Sequence, residues 1–84
     1  MLPMRGDDLV HRFGSLVRRL RESRGLSQDE LADRSGLHRT FIGSVERGEK
    51  VPTIITAQKI AEGLDLRLSF VFAELEHVDP GKSG

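Results

Sequence analysis

The nineteen residues from Gln28 to Glu46, QDELADRSGLHRTFIGSVE, restrict this chain more than any other stretch. They hold two short helical patterns joined through Ser35-Gly36-Leu37. Gly36 stands where the first helix must end, and a residue with positive φ is the usual way to end one. Ala32, four residues earlier, is small enough for a second helix to cross closely. Leu31, Leu37, Ile42 and Val45 share an apolar side and predict a common core. His38, Arg39 and Thr40 open the second helix and are polar, with nothing obvious to bury against. A helix with an apolar back and a polar, cationic leading edge fits one that enters a DNA groove.

Local signals set the neighbouring elements. Ser27 and Glu30 have the spacing of a capping box, and Leu26 with Leu31 that of a hydrophobic staple, so Gln28 is the first helical residue. Upstream, Leu9, Phe13, Leu16, Val17 and Leu20 recur at steps of three and four. They predict a helix over about 8–24, capped by Asp7 or Asp8 and stopped by Gly25. Downstream, Gly48 ends the helix that holds Arg39, and residues 47–52 form an exit loop. Thr53 caps a fourth helix with an apolar stripe of Ile54, Ala57, Ile60, Ala61 and Leu64. Gly43 lies inside a predicted helix, where it costs roughly 1 kcal/mol against alanine. Close approach to DNA and close packing against the preceding helix both explain it. Phe41 is read as packing at the edge of the core.

Gln28, Ala32, Gly36, Ile42 and Val45 carry a resemblance to the helix-turn-helix of the XRE (Cro/CI-like) family of phage and bacterial repressors. The resemblance covers residues 13–48 and continues more loosely through 51–76. Within the family, the pieces GLSQ, GLHRT and VERG look like restriction–modification controller proteins, and other small repressors share them. The resemblance implies an all-α, five-helix, lambda-repressor-like domain over residues 7–76, with helices 2 and 3 as the helix-turn-helix. It also implies that Arg21 pairs with Glu46, tying helix 1 to helix 3, and that Gln28 binds a phosphate and braces the next helix.

Composition neither supports nor defeats a nucleic-acid partner by itself. The chain has 84 residues, enough for one domain, and a formal net charge of zero. Its first fifty residues carry ten Lys/Arg against eight Asp/Glu, and the remainder carries three against five. DNA responds to the local field rather than the total, so modest non-specific affinity and clear salt dependence are expected. There is no cysteine for a disulfide framework or thiolate metal site. His11, His38 and His77 have no metal-ligand spacing, so neither a metal nor a cofactor is expected. No phosphate loop, nucleophile elbow or Cys/His pair points to an enzyme. No apolar run approaches the ~18–20 residues of a membrane span, and MLPMRGDD lacks the apolar core of a signal peptide. A cytoplasmic, nucleoid-associated protein is expected.

The expected base readers are Arg39, Thr40 and Ser44, with His38 assisting, because Arg can donate two parallel hydrogen bonds to guanine and Thr can offer a methyl or a hydroxyl. Gln28, Arg47 and Lys50 are expected on the DNA backbone. Residues 64–72, LDLRLSFVF, alternate with a period of two, which reads as a strand. The family resemblance implies a fifth helix there, and Leu68, Val71, Phe72 and Leu75 also fit helical spacing. Either form leaves excess apolar surface, so these four residues are expected at a homodimer interface. A strand would suit an alternative, an antitoxin-type repressor that holds a toxin partner. Residues 1–6 are expected to be a flexible arm and 77–84 a disordered tail.

Overall fold

The computed structural model describes residues 5–76, so the expected C-terminal tail and most of the N-terminal arm lie outside the described residues. Five helices follow one another: α1 Gly6–Ser23, α2 Gln28–Ser35, α3 Arg39–Glu46, α4 Ile54–Gly63 and α5 Leu68–Glu76. The described part is all-α.

The helix ends show why the chain turns where it does. Ser27 Oγ accepts from the Glu30 N–H at 3.0 Å while Glu30 Oε1 accepts from the Ser27 N–H at 2.8 Å, so both halves of the capping box open α2. These bonds to Ser27 hold the Glu30 carboxyl below the usual carboxylate range. Gly36 ends α2 with φ 66°, and the Leu37 N–H reaches back to the Ala32 carbonyl at 3.0 Å. Thr53 caps α4 through the Thr56 N–H at 3.1 Å.

The start of α1 differs from the sequence expectation. Arg5 is the N-cap residue and makes no side-chain cap bond, while Asp7 and Asp8 lie inside the first turn. The Leu9 N–H bonds to the Arg5 carbonyl at 2.9 Å, so the helix begins at Gly6, about two residues earlier, and takes Gly6 from the expected arm. Leu9, expected in the buried stripe, is exposed and lines an apolar groove at the surface.

Val17, Leu31, Ile42, Val45, Ile60, Leu64 and Val71 form the driest part of a single core to which all five helices contribute. Two glycines let helices touch backbone to side chain or backbone to backbone. A Cβ on Gly14 of α1 would strike the Val45 carbonyl of α3. A Cβ on Gly63 would strike Ser35 Oγ and approach Leu31 Cδ1 to 3.0 Å, so Gly63 is where α4 meets α2.

The segment after α4 is not a strand. Asp65 turns the chain with φ 61°, and the Leu66 N–H closes onto the Ala61 carbonyl at 2.9 Å. The period-two pattern arises because Leu64 ends α4, Leu66 packs just past the turn and Leu68 opens α5. The antitoxin alternative loses its pairing strand with this finding. Of the four residues expected at a dimer interface, the protomer itself buries two. Val71 and Leu75 are only 1% and 8% exposed, because α5 folds back over α1 and α4 and spends its apolar stripe on its own protomer. Leu68 and Phe72 pack partly against the same core. Arg12 Nη2 donates to the Leu75 carbonyl at 3.3 Å and holds the end of α5 on α1.

Candidate nucleic-acid interface

The turn at Gly36 sets the beginnings of α2 and α3 side by side. Gln28, Arg39, Thr40, Gly43 and Arg47 line one open cleft there. Arg39, Thr40 and Arg47 are exposed, so their polar groups stay available to a ligand. Gly43 forms part of the cleft floor, where a Cβ would meet Arg47 Nη1 at 3.1 Å and Gln28 Oε1 at 3.6 Å. A side chain there would fill the space between the two polar residues.

His38 is the N-cap of α3, and its Nδ1 accepts from the Thr40 N–H at 3.2 Å. That bond fixes the ring at the mouth of the helix and leaves Nε2 as the atom able to face outward. Ser44 is half-buried one turn further along, with Arg47 Nη2 directed at its Oγ at 3.5 Å. Lys50 is exposed in the loop beyond and does not line the cleft.

Beneath the cleft lies a charged brace. Arg21 of α1 donates from Nε to Glu46 Oε2 at 2.7 Å and from Nη2 to Glu46 Oε1 at 3.1 Å. Its Nη1 donates to the Leu26 carbonyl at 2.7 Å. Gln28 Nε2 donates to Glu46 Oε1 at 3.0 Å. The hydrogen bond to Glu46 is the main reason the Arg21 guanidinium is held above its ordinary pKa. One arginine thus joins α1, the entry to α2 and the end of α3, and one carboxylate aims Gln28 into the cleft.

Three contributors escaped the sequence reading. Asp29, in the first turn of α2, places Oδ1 3.1 Å from Arg39 Nε. Glu49 pairs with Arg47 at 3.1 Å. Gly14 brings α1 against the last turn of α3. A signal for Asp29 did exist: it is the second residue of one helix, and Arg39 is the first residue of the next across a tight turn.

Comparison with known proteins agrees with this arrangement. The helix-turn-helix family pattern matches residues 17–71. The control protein C.MunI of Mycoplasma sp is 35% identical over 71 residues, which are 83% of this chain and 96% of that protein. The crystal structure of the restriction-modification controller protein C.AhdI from Aeromonas hydrophila superposes with a TM-score of 0.72 at 43% identity, covering 77% of this chain and 97% of that one. The controller protein C.Esp1396I, solved as a tetramer in complex with its natural 35 base-pair operator, superposes with a TM-score of 0.76 at 30% identity, covering 80% and 88% respectively.

Proposed function

The chain belongs to the helix-turn-helix family, and we propose that it is a sequence-specific regulator of transcription that binds double-stranded DNA as a homodimer on a near-palindromic operator. The observation that carries this reading is the cleft at the start of α3, where Gln28, Arg39, Thr40 and Arg47 present polar groups side by side. Arg39 and Thr40, with Ser44 and His38, read base edges in the major groove. Gln28, Arg47 and Lys50 hold phosphates and set the register. Two such helices then occupy successive major grooves roughly 34 Å apart. The control and controller proteins among its relatives, one of them solved on its natural operator, support a regulatory role at an operator.

Selection from random duplexes tests the reading. It should return a two-fold-related site with half-sites one helical turn or a multiple apart, and recovery of no consensus would overturn it. On the selected site Arg39→Ala should lose about 1–3 kcal/mol and relax one operator position. Equal losses on the selected site and on random DNA would remove Arg39 from base reading.

The homodimer rests on apolar surface that the protomer leaves uncovered. Val51, Ile54 and Ile55 are 74%, 69% and 65% exposed. Val51 and Ile54 also line an apolar groove with Leu9, Val10 and Phe72. A second copy of the chain seated there would cover both features, which supports a contact that includes the start of α4 and reaches Phe72 of α5. Ile54 is the first residue of α4, where an acid suits the helix dipole, so Ile54→Asp should fold normally. Sedimentation equilibrium should then find a monomer with weakened operator binding. An unshifted dimer would locate the contact on another face.

A further inference from the structure

We propose that Asp29 is a positioning residue that determines specificity, aiming Arg39 at a base edge and disfavouring its capture by a phosphate. The proposal rests on the reading of Arg39 as a base reader. Asp29 Oδ1 lies 3.1 Å from Arg39 Nε, and the two side chains are 68% and 67% exposed. A pair this exposed contributes little to stability, since water screens it and two long side chains must be ordered. Its consequence lies in where it points the guanidinium.

An arginine offers two edges for paired hydrogen bonding, one through Nε and one through its two terminal nitrogens. With Nε turned to Asp29, the terminal edge of Nη1 and Nη2 remains outward. That edge matches the paired acceptors O6 and N7 of guanine. Charge adds a second discrimination. A phosphate approaching Arg39 also approaches the Asp29 carboxylate and is repelled, whereas a guanine edge is neutral. Asp29 therefore penalises the wrong ligand more than the right one, which is how specificity gains from a repulsive group.

Asp29 also sits in the first turn of α2, where an acid is favourable for the helix alone. The test must separate these roles. The full chain and its Asp29→Asn variant are titrated with the selected operator, with operators altered at single positions, and with random duplex, each over a salt series. A thermal melt of each protein is recorded alongside. The variant should bind random duplex more tightly, with a salt slope steeper by about one phosphate contact. Its preference for guanine at the position relaxed by Arg39→Ala should fall about tenfold, within the range set by one bidentate pair. Asp29→Glu should recover part of that preference. In an Arg39→Ala background Asp29→Asn should leave base preference unchanged.

A purely structural role would lower the melting temperature and leave the base preference intact, which overturns the proposal. Equal tightening on operator and random duplex also overturns it, because Asp29 would then act only by repulsion. If Arg39→Ala itself relaxes no position, the base-reading premise has failed. If it relaxes one and Asp29→Asn does not, only the present inference has failed.

Discussion

Gly14→Ala should remove about 3 kcal/mol or more from the stability of this domain, near the upper end of what a single added methyl does. The added Cβ would run into the Val45 carbonyl and stand 2.8 Å from the Glu46 carbonyl oxygen. Both atoms are backbone in the last turn of α3, so no side-chain rotation relieves the clash. Either α1 lifts away from α3 or α3 shifts along the core. Phe13, Leu16 and Val17, which flank Gly14, are buried and resist the first movement. Ile42 and Val45, each fully buried, resist the second. A small domain has only about 5–15 kcal/mol in total, so this loss is a large fraction of the whole. Urea denaturation followed by helical circular dichroism reads the loss as a lower midpoint. A midpoint within experimental error of the wild type would mean that α1 and α3 are further apart than described. The glycine in α3 differs in kind: a Cβ at Gly43 meets only the tip of Arg47 at 3.1 Å, and that tip can swing aside.

The contrast between Gly14 and Gly36 shows what a single sequence reveals. Gly36 is legible because its reason is local: a helix ends there and the backbone takes φ 66°. Ser27 and Glu30 are legible for the same reason, since both partners lie within one turn. Gly14 has an ordinary helical neighbourhood, and its reason lies thirty residues away on another helix. The same limit hides Asp29, whose partner Arg39 comes near only after the turn has formed. Periodicity also finds apolar stripes without saying what covers them. Val71 and Leu75 were expected to meet a second subunit, yet their own α1 and α4 cover them. The exposed large apolar side chains are Val51, Ile54 and Ile55 around the start of α4, together with Phe70 of α5 and Leu9 of α1. In residues 64–68 a turn at Asp65 produced the alternation of a strand without any strand being present. The candidate cleft is more legible, because residues placed first in a helix and left polar by the core pattern point outward.

Glu46→Ala should cost about 3 kcal/mol, because it takes the main partner from a largely buried charge rather than merely removing a contact. The Glu46 side chain is 3% exposed and that of Arg21 is 11% exposed. Without the carboxylate, Arg21 keeps the Leu26 carbonyl as a hydrogen-bonded partner at 2.7 Å and the exposed Glu22 carboxylate at 3.9 Å, and two of its donor nitrogens lose their short bonds. Gln28 loses the oxygen that holds its amide at 3.0 Å, so the cleft loosens together with the core. DNA affinity should therefore fall further than the residual folded fraction accounts for. Two variants separate the stranded charge from the lost bonds. Glu46→Gln keeps an acceptor of the same shape and should cost less than Glu46→Ala. Arg21→Met combined with Glu46→Leu removes both charges, and it should be more stable than either Glu46→Ala or Arg21→Met alone, since a buried pair and a well-packed apolar pair have comparable stability. If chemical denaturation finds Glu46→Ala within about 1 kcal/mol of wild type, the pair behaves as a solvated surface contact. In that case the tie between α1 and α3 is carried by the packing of Gly14 against the end of α3, and the charged brace beneath the cleft serves only to aim Gln28.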